Sequence, residues 1–447
     1  MKTLVLNQKN YQREECCTGK INYKLLPSQI ILAANYLKEN NKDVVFIDEQ
    51  IQKVPDLNEF DIIVTWISIL NGFFEDIKIL KKAKEMGKRT IAVLNDPHGI
   101  ELEVMQEFKF IDICIRLSER EITLNKVISH WEEKNEKLDF PGVIYRHNNI
   151  LIDTGTMPFL KDLTHLKSSA GLISELPLSQ YDEAFITTGR GCPMLCTFCS
   201  YPATASRKRN IPDIMEEIKI VSSEIDYYSF IDLNLYANKQ WAENFLAELK
   251  NRKFNGNWVG DMRAEQASIE LLTKWKEAGC RRILMGIESF DNESLIKMKK
   301  GITQDTIIKA MRNMQKVDIN PITSLIVGLP WDSDETLEKT ETFIKKYGIT
   351  LYGTNYLVPV RGTKIYEDAK SLGLIKKDLT VHDYVNAPEY PVIPSLYLDR
   401  EEIVEWGKRL QKIRFDPVYM LNYVKHNGFK PRYIKSFFGR IKNYYNA

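Results

Sequence analysis

The 447-residue sequence lacks any long apolar run, any low-complexity segment and any large net charge. A bilayer-spanning helix needs roughly 20 apolar residues, and the N-terminal run Thr3–Leu6 is also too short for a signal peptide. We therefore expect no membrane span and a cytoplasmic location. A net charge of +2 provides no basic field that would favour a nucleic-acid partner. With 44% hydrophobic residues, the chain can build ordinary globular cores.

Cysteine is sparse, with seven residues in a long chain, which does not indicate a disulfide framework. In a reducing compartment, a group of cysteines favours metal binding or catalysis. Three of them, Cys192, Cys196 and Cys199, follow one another at C-x3-C-x2-C spacing. Cysteine thiolates are the ligands of iron–sulfur clusters. A loop of this length can surround a compact cluster and leave one iron open to a small molecule.

A structural zinc site is the main alternative for these cysteines, and it requires four ligands. No histidine lies between His165 and His382, and the next cysteine along the chain is Cys280. A disulfide with one free thiol is disfavoured by the reducing compartment. Cys280 itself precedes a predicted strand and is typical of a small buried apolar residue. The spacing therefore favours an iron–sulfur cluster over zinc.

Two stretches alternate short β-branched runs with amphipathic helices, as α/β proteins with parallel sheets do. Residues 1–147 predict a doubly wound, Rossmann-like domain, and residues 148–180 are weakly patterned and predict a linker. Residues 181–375 contain six β/α repeats, which predict a partial (β/α)6 barrel of the TIM type with its strand-end loops at one edge. Residues 376–447 predict a helical C-terminal cap.

The cysteine motif, with Phe198 directly before its third cysteine, resembles the signature of the radical S-adenosylmethionine (SAM) superfamily. The resemblance covers most of residues 181–375. It implies a [4Fe–4S] cluster bound by Cys192, Cys196 and Cys199, and SAM bound at the open iron. It also implies an external electron donor of the flavodoxin or ferredoxin type. Reductive cleavage of SAM would yield a 5′-deoxyadenosyl radical that attacks a substrate at the barrel mouth.

Further residues resemble the strand ends with which this superfamily holds SAM. The segments concerned are Phe230–Asn234, Gly286–Ser289 followed by Lys300-Gly301, Leu325–Pro330 and Pro359–Thr363. The resemblance implies SAM-binding roles for Asp232, Arg263, Glu288, Ser289 and Gly328. Other interpretations stay open, because Asp232 can cap a helix, Arg263 can pair with Glu265 or Asp261, and Gly328 can be a simple turn residue.

A doubly wound domain ahead of such a barrel resembles the cobalamin-binding subgroup of the superfamily. The resemblance is carried by Pro27 with the helix after it, Val44–Asp48, Asn95–His98, Ile111–Arg116 and Pro141–Arg146. It implies cobalamin as a further cofactor and methylation as the reaction. The sequence departs from the subgroup where Asn95 and Asp96 replace glycines and where Glu101 replaces the glycine of D-x-H-x-x-G. A cobalamin-free radical SAM enzyme and a non-catalytic metal protein therefore remain alternatives.

Two other features have ordinary interpretations beside functional ones. Cys16-Cys17 is either a redox or substrate feature or a pair of incidental thiols in a loop. After Asp416 the chain contains basic and aromatic residues without any acidic one. Such a tail can stack on bases or lie on a membrane surface, but a helical cap with solvated lysines explains it equally well.

Overall fold

The structure is a computed structural model that describes residues 1–8, 23–69, 72–94, 99–201, 203–349 and 351–427. Its N-terminal part alternates strands and helices. The elements there are β1 (Thr3–Asn7), β2 (Leu25–Leu26), α1 (Ser28–Glu39), β3 (Val44–Asp48), β4 (Ile62–Ile67), α2 (Phe73–Glu85), β5 (Arg89–Leu94), α3 (Glu101–Glu107), β6 (Ile113–Ile115), α4 (Arg120–Glu132), β7 (Val143–His147) and β8 (Ile150–Asp153).

The first sheet has the strand order β3-β1-β4-β5-β6-β7-β8. Strands β3 to β6 are parallel and follow the flavodoxin-like doubly wound order, in which ligands bind where the strand order reverses, here between β1 and β4. Every residue of β4 is buried, as expected for a central parallel strand that helices cover on both faces. The α/β fold predicted for this region is confirmed.

Strands β7 and β8 form an antiparallel hairpin that extends the first sheet. Asn148 and Asn149 make its two-residue turn, with φ of 49° and 62°. Positive φ at both turn positions is typical of hairpin turns, and asparagine tolerates it better than most residues. Residues 148–180, predicted as a linker, thus hold β8 and the short helix α5 (Ala170–Ser174). The domain boundaries stay a prediction.

The second sheet forms the barrel and has the order β16-β15-β14-β13-β12-β9-β2, with all neighbours parallel. Its six β/α units confirm the predicted partial barrel. The elements are β9 (Glu183–Thr187), β10 (Gly189–Arg190), β11 (Arg207–Lys208), α6 (Ile211–Val221), β12 (Tyr227–Ile231), α7 (Lys239–Asn251), β13 (Asn257–Asp261), α8 (Ile269–Glu277), β14 (Cys280–Glu288), α9 (Asn292–Lys297), α10 (Gln304–Val317), β15 (Asn320–Val327), α11 (Asp334–Tyr347) and β16 (Leu351–Tyr356).

Strand β2 joins the two regions, because it leaves the first region and pairs with β9 at the edge of the barrel. The helix that follows β2 also contacts the barrel, since the Ser28 hydroxyl donates to the Thr187 hydroxyl at 3.0 Å. In the same interface, the Tyr181 hydroxyl donates to the buried Asp48 carboxylate at 2.8 Å. The two regions therefore pack through buried polar contacts, as well as through the chain connection.

The C-terminal part is helical, as predicted, with α12 (Lys364–Ser371), α13 (Val381–Val385), α14 (Arg400–Lys412) and α15 (Pro417–Asn427). Helix α14 covers the end of the barrel sheet. Its Gly407 lies against the Tyr356 ring, where a Cβ atom would collide with the hydroxyl. The Trp406 ring nitrogen donates to Asp334 at 2.8 Å. Within the described ranges, no helix is long and apolar enough to cross a bilayer.

Candidate active site

The loop with the cysteine motif begins and ends in a short antiparallel ribbon, in which β10 pairs with β11 directly after the first barrel strand. We call residues 191–206, between these strands, the cysteine loop. The loop starts at Gly191, which has a φ of 87° and whose missing Cβ would collide with the Ala205 carbonyl. Only glycine adopts this conformation at so close an approach without strain. Local backbone chemistry thus explains the glycine that precedes the motif.

The loop places Cys192, Cys196 and Cys199 together as partly exposed free thiols. Burial raises the pKa of Cys199, and the neighbouring Cys196 and Cys192 sulfurs raise it further. Among the described residues, however, the three sulfurs do not form a group in which every ligand atom lies within 4.8 Å of the others. A structural zinc ion takes four protein ligands, whereas cysteine thiolates are the usual ligands of iron–sulfur clusters. The donor set therefore fits an iron–sulfur cluster.

Glu288 lies at the end of β14, and Lys300 connects it to the cysteine loop. The Lys300 ammonium is 3.5 Å from Glu288 Oε1 and 5.5 Å from the centroid of the Phe198 ring. The Ser324 hydroxyl donates to Glu288 Oε2 at 3.2 Å. Glu288 has a φ of 68°, a left-handed conformation that is rare for glutamate and typical of functional sites. The arrangement presents a carboxylate and an ammonium group beside the loop.

Arg263 lies on the other side of Lys300. Its guanidinium donates to the Lys300 carbonyl and pairs with Glu265, and the Arg263 side chain is 12% exposed. The predicted pairing with Glu265 is thus present, but it does not leave Arg263 on the surface. Ser289 is buried, and its hydroxyl accepts the Asp291 amide at 3.1 Å. The SAM-binding roles of Arg263 and Ser289 stay predictions.

Gly328 starts the turn after β15 with a φ of 86°. Its amide and that of Leu329 donate to the same Asp332 oxygen, at 2.9 and 3.0 Å. Burial raises the pKa of the Asp332 carboxyl to about 7. A Cβ atom on Gly328 would lie 3.1 Å from Ile403 of α14. The turn is therefore held by its hydrogen bonds to Asp332 and by packing against Ile403 of helix α14.

Asp232 ends β12 and faces the base of the cysteine loop. Its carboxylate pairs with the Lys208 ammonium, accepts the Thr188 hydroxyl at 3.3 Å and accepts the Asn234 amide at 3.1 Å. Gly189 makes room for this contact, because a Cβ there would collide with Asp232 Oδ2. The contact with Lys208, which sequence reasoning missed, anchors the ribbon to the barrel. A SAM-binding role for Asp232 stays a prediction.

Loops at the carboxyl edge of the first sheet contact loops at the barrel mouth in two places. After β6, Glu119 and Glu121 form ion pairs with Arg190, which immediately precedes the cysteine loop. After β5, Glu103 pairs with Arg361 from the loop after β16. The ligand-binding edges of the two sheets therefore face each other. None of these contacts had a signal in the sequence.

The edge of the first sheet also holds a buried acid, Asp76. Asp76 lies in the first turn of α2, after β4, and its side chain is fully buried. Neither of its carboxylate oxygens has a well-formed hydrogen-bond partner among the described residues, although the Ser68 main-chain amide lies close enough to favour the charged form. Gln8 donates to the Asp76 main-chain carbonyl. Burial raises the pKa of this carboxyl to about 8. Such a group fits a polar ligand at the point where the strand order reverses.

Several features singled out in the sequence lie outside the described residues. They are Cys16-Cys17, the Asn95–His98 segment and the basic aromatic tail beyond Asn427. Glu101, which replaces the glycine of the D-x-H-x-x-G pattern, is described and lies buried in the first turn of α3. It stands at the same carboxyl edge as Asp76.

The class of the protein follows from the barrel, the cysteine loop and a family comparison. The model of the radical SAM superfamily matches residues 186–344, which span β9 to α11 and include all three loop cysteines. Residues 186–344 therefore form a radical SAM domain, and enzymes of this superfamily use a [4Fe–4S] cluster and SAM.

The chain is also similar to curated proteins and to solved structures. An uncharacterized methyltransferase of Pyrococcus horikoshii is 24% identical over 91% of this chain and 89% of its own length. An anaerobic magnesium-protoporphyrin IX monomethyl ester cyclase of Synechocystis is 24% identical over 67% of this chain, which spans only 61% of the cyclase. The radical SAM methyltransferase TsrM of Kitasatospora setae, solved with cobalamin and a [4Fe–4S] cluster, superposes with a TM-score of 0.70 over 93% of this chain and 90% of its own, at 13% identity.

The cobalamin-dependent radical SAM enzyme OxsB superposes with a TM-score of 0.62 over 83% of this chain and 55% of its own, at 18% identity. At these identities the likeness shows the fold. The predicted resemblance to the cobalamin-binding subgroup of the superfamily is confirmed at that level.

Proposed function

We propose that this protein is a cobalamin-dependent radical SAM methyltransferase. Cys192, Cys196 and Cys199 would hold the cluster, and the carboxyl edge of the first sheet would hold cobalamin. One observation carries the proposal: the carboxyl edge of the first sheet faces the carboxyl edge of the barrel. The ion pairs of Arg190 with Glu119 and Glu121 join the two edges. A group bound on the first domain would thus lie at the mouth of the barrel. The chemistry supplied by the bound groups is reductive cleavage of SAM and transfer of a methyl group.

The residues of the chain have distinct tasks in this proposal. Glu288 offers a carboxylate to the ammonium or a ribose hydroxyl of SAM, and Lys300 keeps this carboxylate oriented at 3.5 Å. The turn at Gly328 brings backbone close to the same ligand. On the first domain, the Asp76 carboxyl offers hydrogen bonds to a polar group of cobalamin. An external flavodoxin- or ferredoxin-type protein supplies electrons, and the substrate binds between the two edges.

The cluster is tested by anaerobic reconstitution of the full chain with iron and sulfide, followed by SAM and dithionite. We expect release of 5′-deoxyadenosine by the wild type and loss of both iron and product in Cys196→Ala. Cys280→Ala is the matched control, because Cys280 is fully buried at the start of β14 and distant in sequence from the loop. Product formation by Cys196→Ala at the wild-type rate would refute the proposed ligand set.

Cobalamin is tested separately by incubation with hydroxocobalamin, gel filtration and a corrin absorbance spectrum. We expect the wild type to retain stoichiometric corrin and Asp76→Ala to retain less, with an unchanged iron content in both. Wild-type protein that cleaves SAM but retains no corrin would instead establish the cobalamin-free alternative. The replacement of glycines by Asn95 and Asp96 is the sequence observation that favours this second candidate.

A further inference from the structure

The ribbon of β10 and β11 sets the position of the cysteine loop, because the loop begins and ends in it. Side chains on a strand alternate between its two faces, and the neighbours Arg207 and Lys208 accordingly reach different partners. Arg207 pairs with Glu119 of the first domain, whereas Lys208 pairs with Asp232 of the barrel. The ribbon is therefore held from both domains.

On the side of the first domain, the ribbon is held by ion pairs with two buried glutamates. Arg190 Nη1 lies 2.7 Å from Glu119 Oε2 and 2.9 Å from Glu121 Oε1, and Arg190 Nη2 donates to Glu121 Oε2 at 3.1 Å. The two glutamate side chains are 0% and 1% exposed. Burial by itself would raise the pKa of Glu121, but Arg190 and His165 lower it to about 2. The contacts with Arg190 and His165 therefore favour the charged form of this glutamate.

The same side chains resemble a metal site, because Glu119, Glu121 and His165 place ligand atoms within 4.8 Å of one another. However, Arg190 and Arg207 contact these carboxylates and bring two positive charges to two negative ones. A bound cation would compete with the partly buried Arg190 and the buried Arg207 for these carboxylates and leave their guanidinium groups without a counter-charge, which is unfavourable. The group is therefore an ion-pair cluster that joins the domains.

We propose that Glu119 and Glu121 are positioning residues, which fix the cysteine loop from the first domain so that its three thiols are held in place for the cluster. The inference rests on the proposed function of these thiols as cluster ligands. Both glutamates lie at the start of α4, the helix after β6, at the edge where a doubly wound sheet binds its ligand. The segment that holds the cysteine loop thus also lies at the edge where the first domain would bind a ligand.

The test is the rate at which iodoacetamide alkylates each cysteine of the metal-free, full-length chain, measured by mass spectrometry of peptides. Glu121→Gln removes one of the two carboxylates that hold Arg190. We expect the three loop cysteines to react at least about threefold faster in this variant, because the ribbon opens locally. Cys114 and Cys280 are fully buried elsewhere and report opening of the whole fold. Their rates should stay at the wild-type level.

Glu107→Gln is the matched control, since Glu107 also joins the first domain to a later part of the chain, through His382 at 2.8 Å, but does not touch the ribbon. Its loop cysteines should react at the wild-type rate. If Glu121→Gln does not fold, Glu121→Asp takes its place, because aspartate keeps the charge and shortens the reach. A smaller acceleration, again confined to the loop cysteines, is then expected.

A second measurement uses the reconstituted protein, in which the electron paramagnetic resonance spectrum of the reduced cluster should differ between Glu121→Gln and the wild type. The inference is overturned if the loop cysteines keep their wild-type rates, or if all buried cysteines accelerate together. Failure of the proposed function looks different, because the wild type itself would then bind no iron. The alkylation rates of the metal-free chain would still decide how the loop is held.

Discussion

Lys208 and Asp232 form a buried ion pair at the base of the cysteine loop, with Nζ 2.5 Å from Oδ2 and the two side chains 2% and 0% exposed. Burial lowers the pKa of Lys208, and the Asp232 carboxylate opposes that effect. A buried charge is tolerated only with its partner, because the lost hydration must be replaced by direct contacts. The pair thus attaches the ribbon to β12 firmly while both charges are present.

Asp232→Asn should therefore destabilise the folded protein, because Lys208 would remain buried without a counter-charge. We expect the free energy of unfolding in urea to fall by about 3–5 kcal/mol. Lys208→Gln combined with Asp232→Asn removes both charges and should lose less than the sum of the single variants. If the double variant instead lost as much free energy of unfolding as the two single variants together, the two residues would not interact.

Glu288→Gln should weaken SAM binding, because an amide replaces the carboxylate that is proposed to contact the ligand. A charged hydrogen bond contributes about 1.5–3 kcal/mol, so a loss of affinity of about tenfold or more is expected by calorimetry with reconstituted protein. Glu293→Gln is the control, since Glu293 is an exposed residue of the nearby helix α9. Equal SAM affinity in the Glu288 variant and the wild type would remove this residue from the site.

Asp332 should make the stability of the protein depend on pH. Burial raises its pKa to about 7 in the folded state, against roughly 4 in an unfolded chain. Between these values the folded state binds more protons, so the free energy of unfolding falls as the pH rises from about 4 to 7. Asp332→Asn keeps an acceptor for the two amides but cannot ionise.

The measurement is urea unfolding at about pH 5 and about pH 8, where the variant should lack about 2–3 kcal/mol of the wild-type pH dependence. The exposed Asp305→Asn should behave as the wild type does. An identical pH dependence in Asp332→Asn and the wild type would contradict the prediction.

Gly328→Ala should destabilise the turn after β15, because alanine disfavours a φ of 86° and its Cβ would press against Ile403. The left-handed conformation alone costs about 1–2 kcal/mol for a residue with a side chain. Thermal unfolding should show the loss. Gly353→Ala is the matched control, since a Cβ at Gly353 of β16 would meet no atom within 4 Å. The prediction fails if both variants unfold at the same temperature.

The sequence predicted most of the fold because its signals are local. The helix that the sequence indicated after Pro27 is present as Ser28–Glu39. Buried parallel strands such as β4 and β9 also appear as short apolar runs between amphipathic helices. The hairpin of β7 and β8 was missed, because Asn148-Asn149 was interpreted as the start of a linker rather than as a turn. The two-residue strand β2 is too short to produce a pattern.

In the candidate site, too, the local features were predicted from the sequence and the non-local contacts were not. The cysteine spacing is a local property of eight residues, and the sequence alone indicated a cluster with three protein ligands. The partners that hold the cysteine loop are not local. Arg190 meets Glu119 across 71 residues of sequence, and Lys208 meets Asp232 across 24. No periodicity relates such pairs, and charged residues of this kind are common on protein surfaces.

The sequence by itself thus determined the order of strands and helices, the two α/β regions and the cysteine motif, since backbone preference and hydrophobic patterning act between near neighbours. Tertiary structure alone decided that the carboxyl edges of the two sheets face each other and that Glu119, Glu121 and Asp232 hold the ribbon between them. The physical reason is that a buried ion pair is stable only after packing has removed water from both partners.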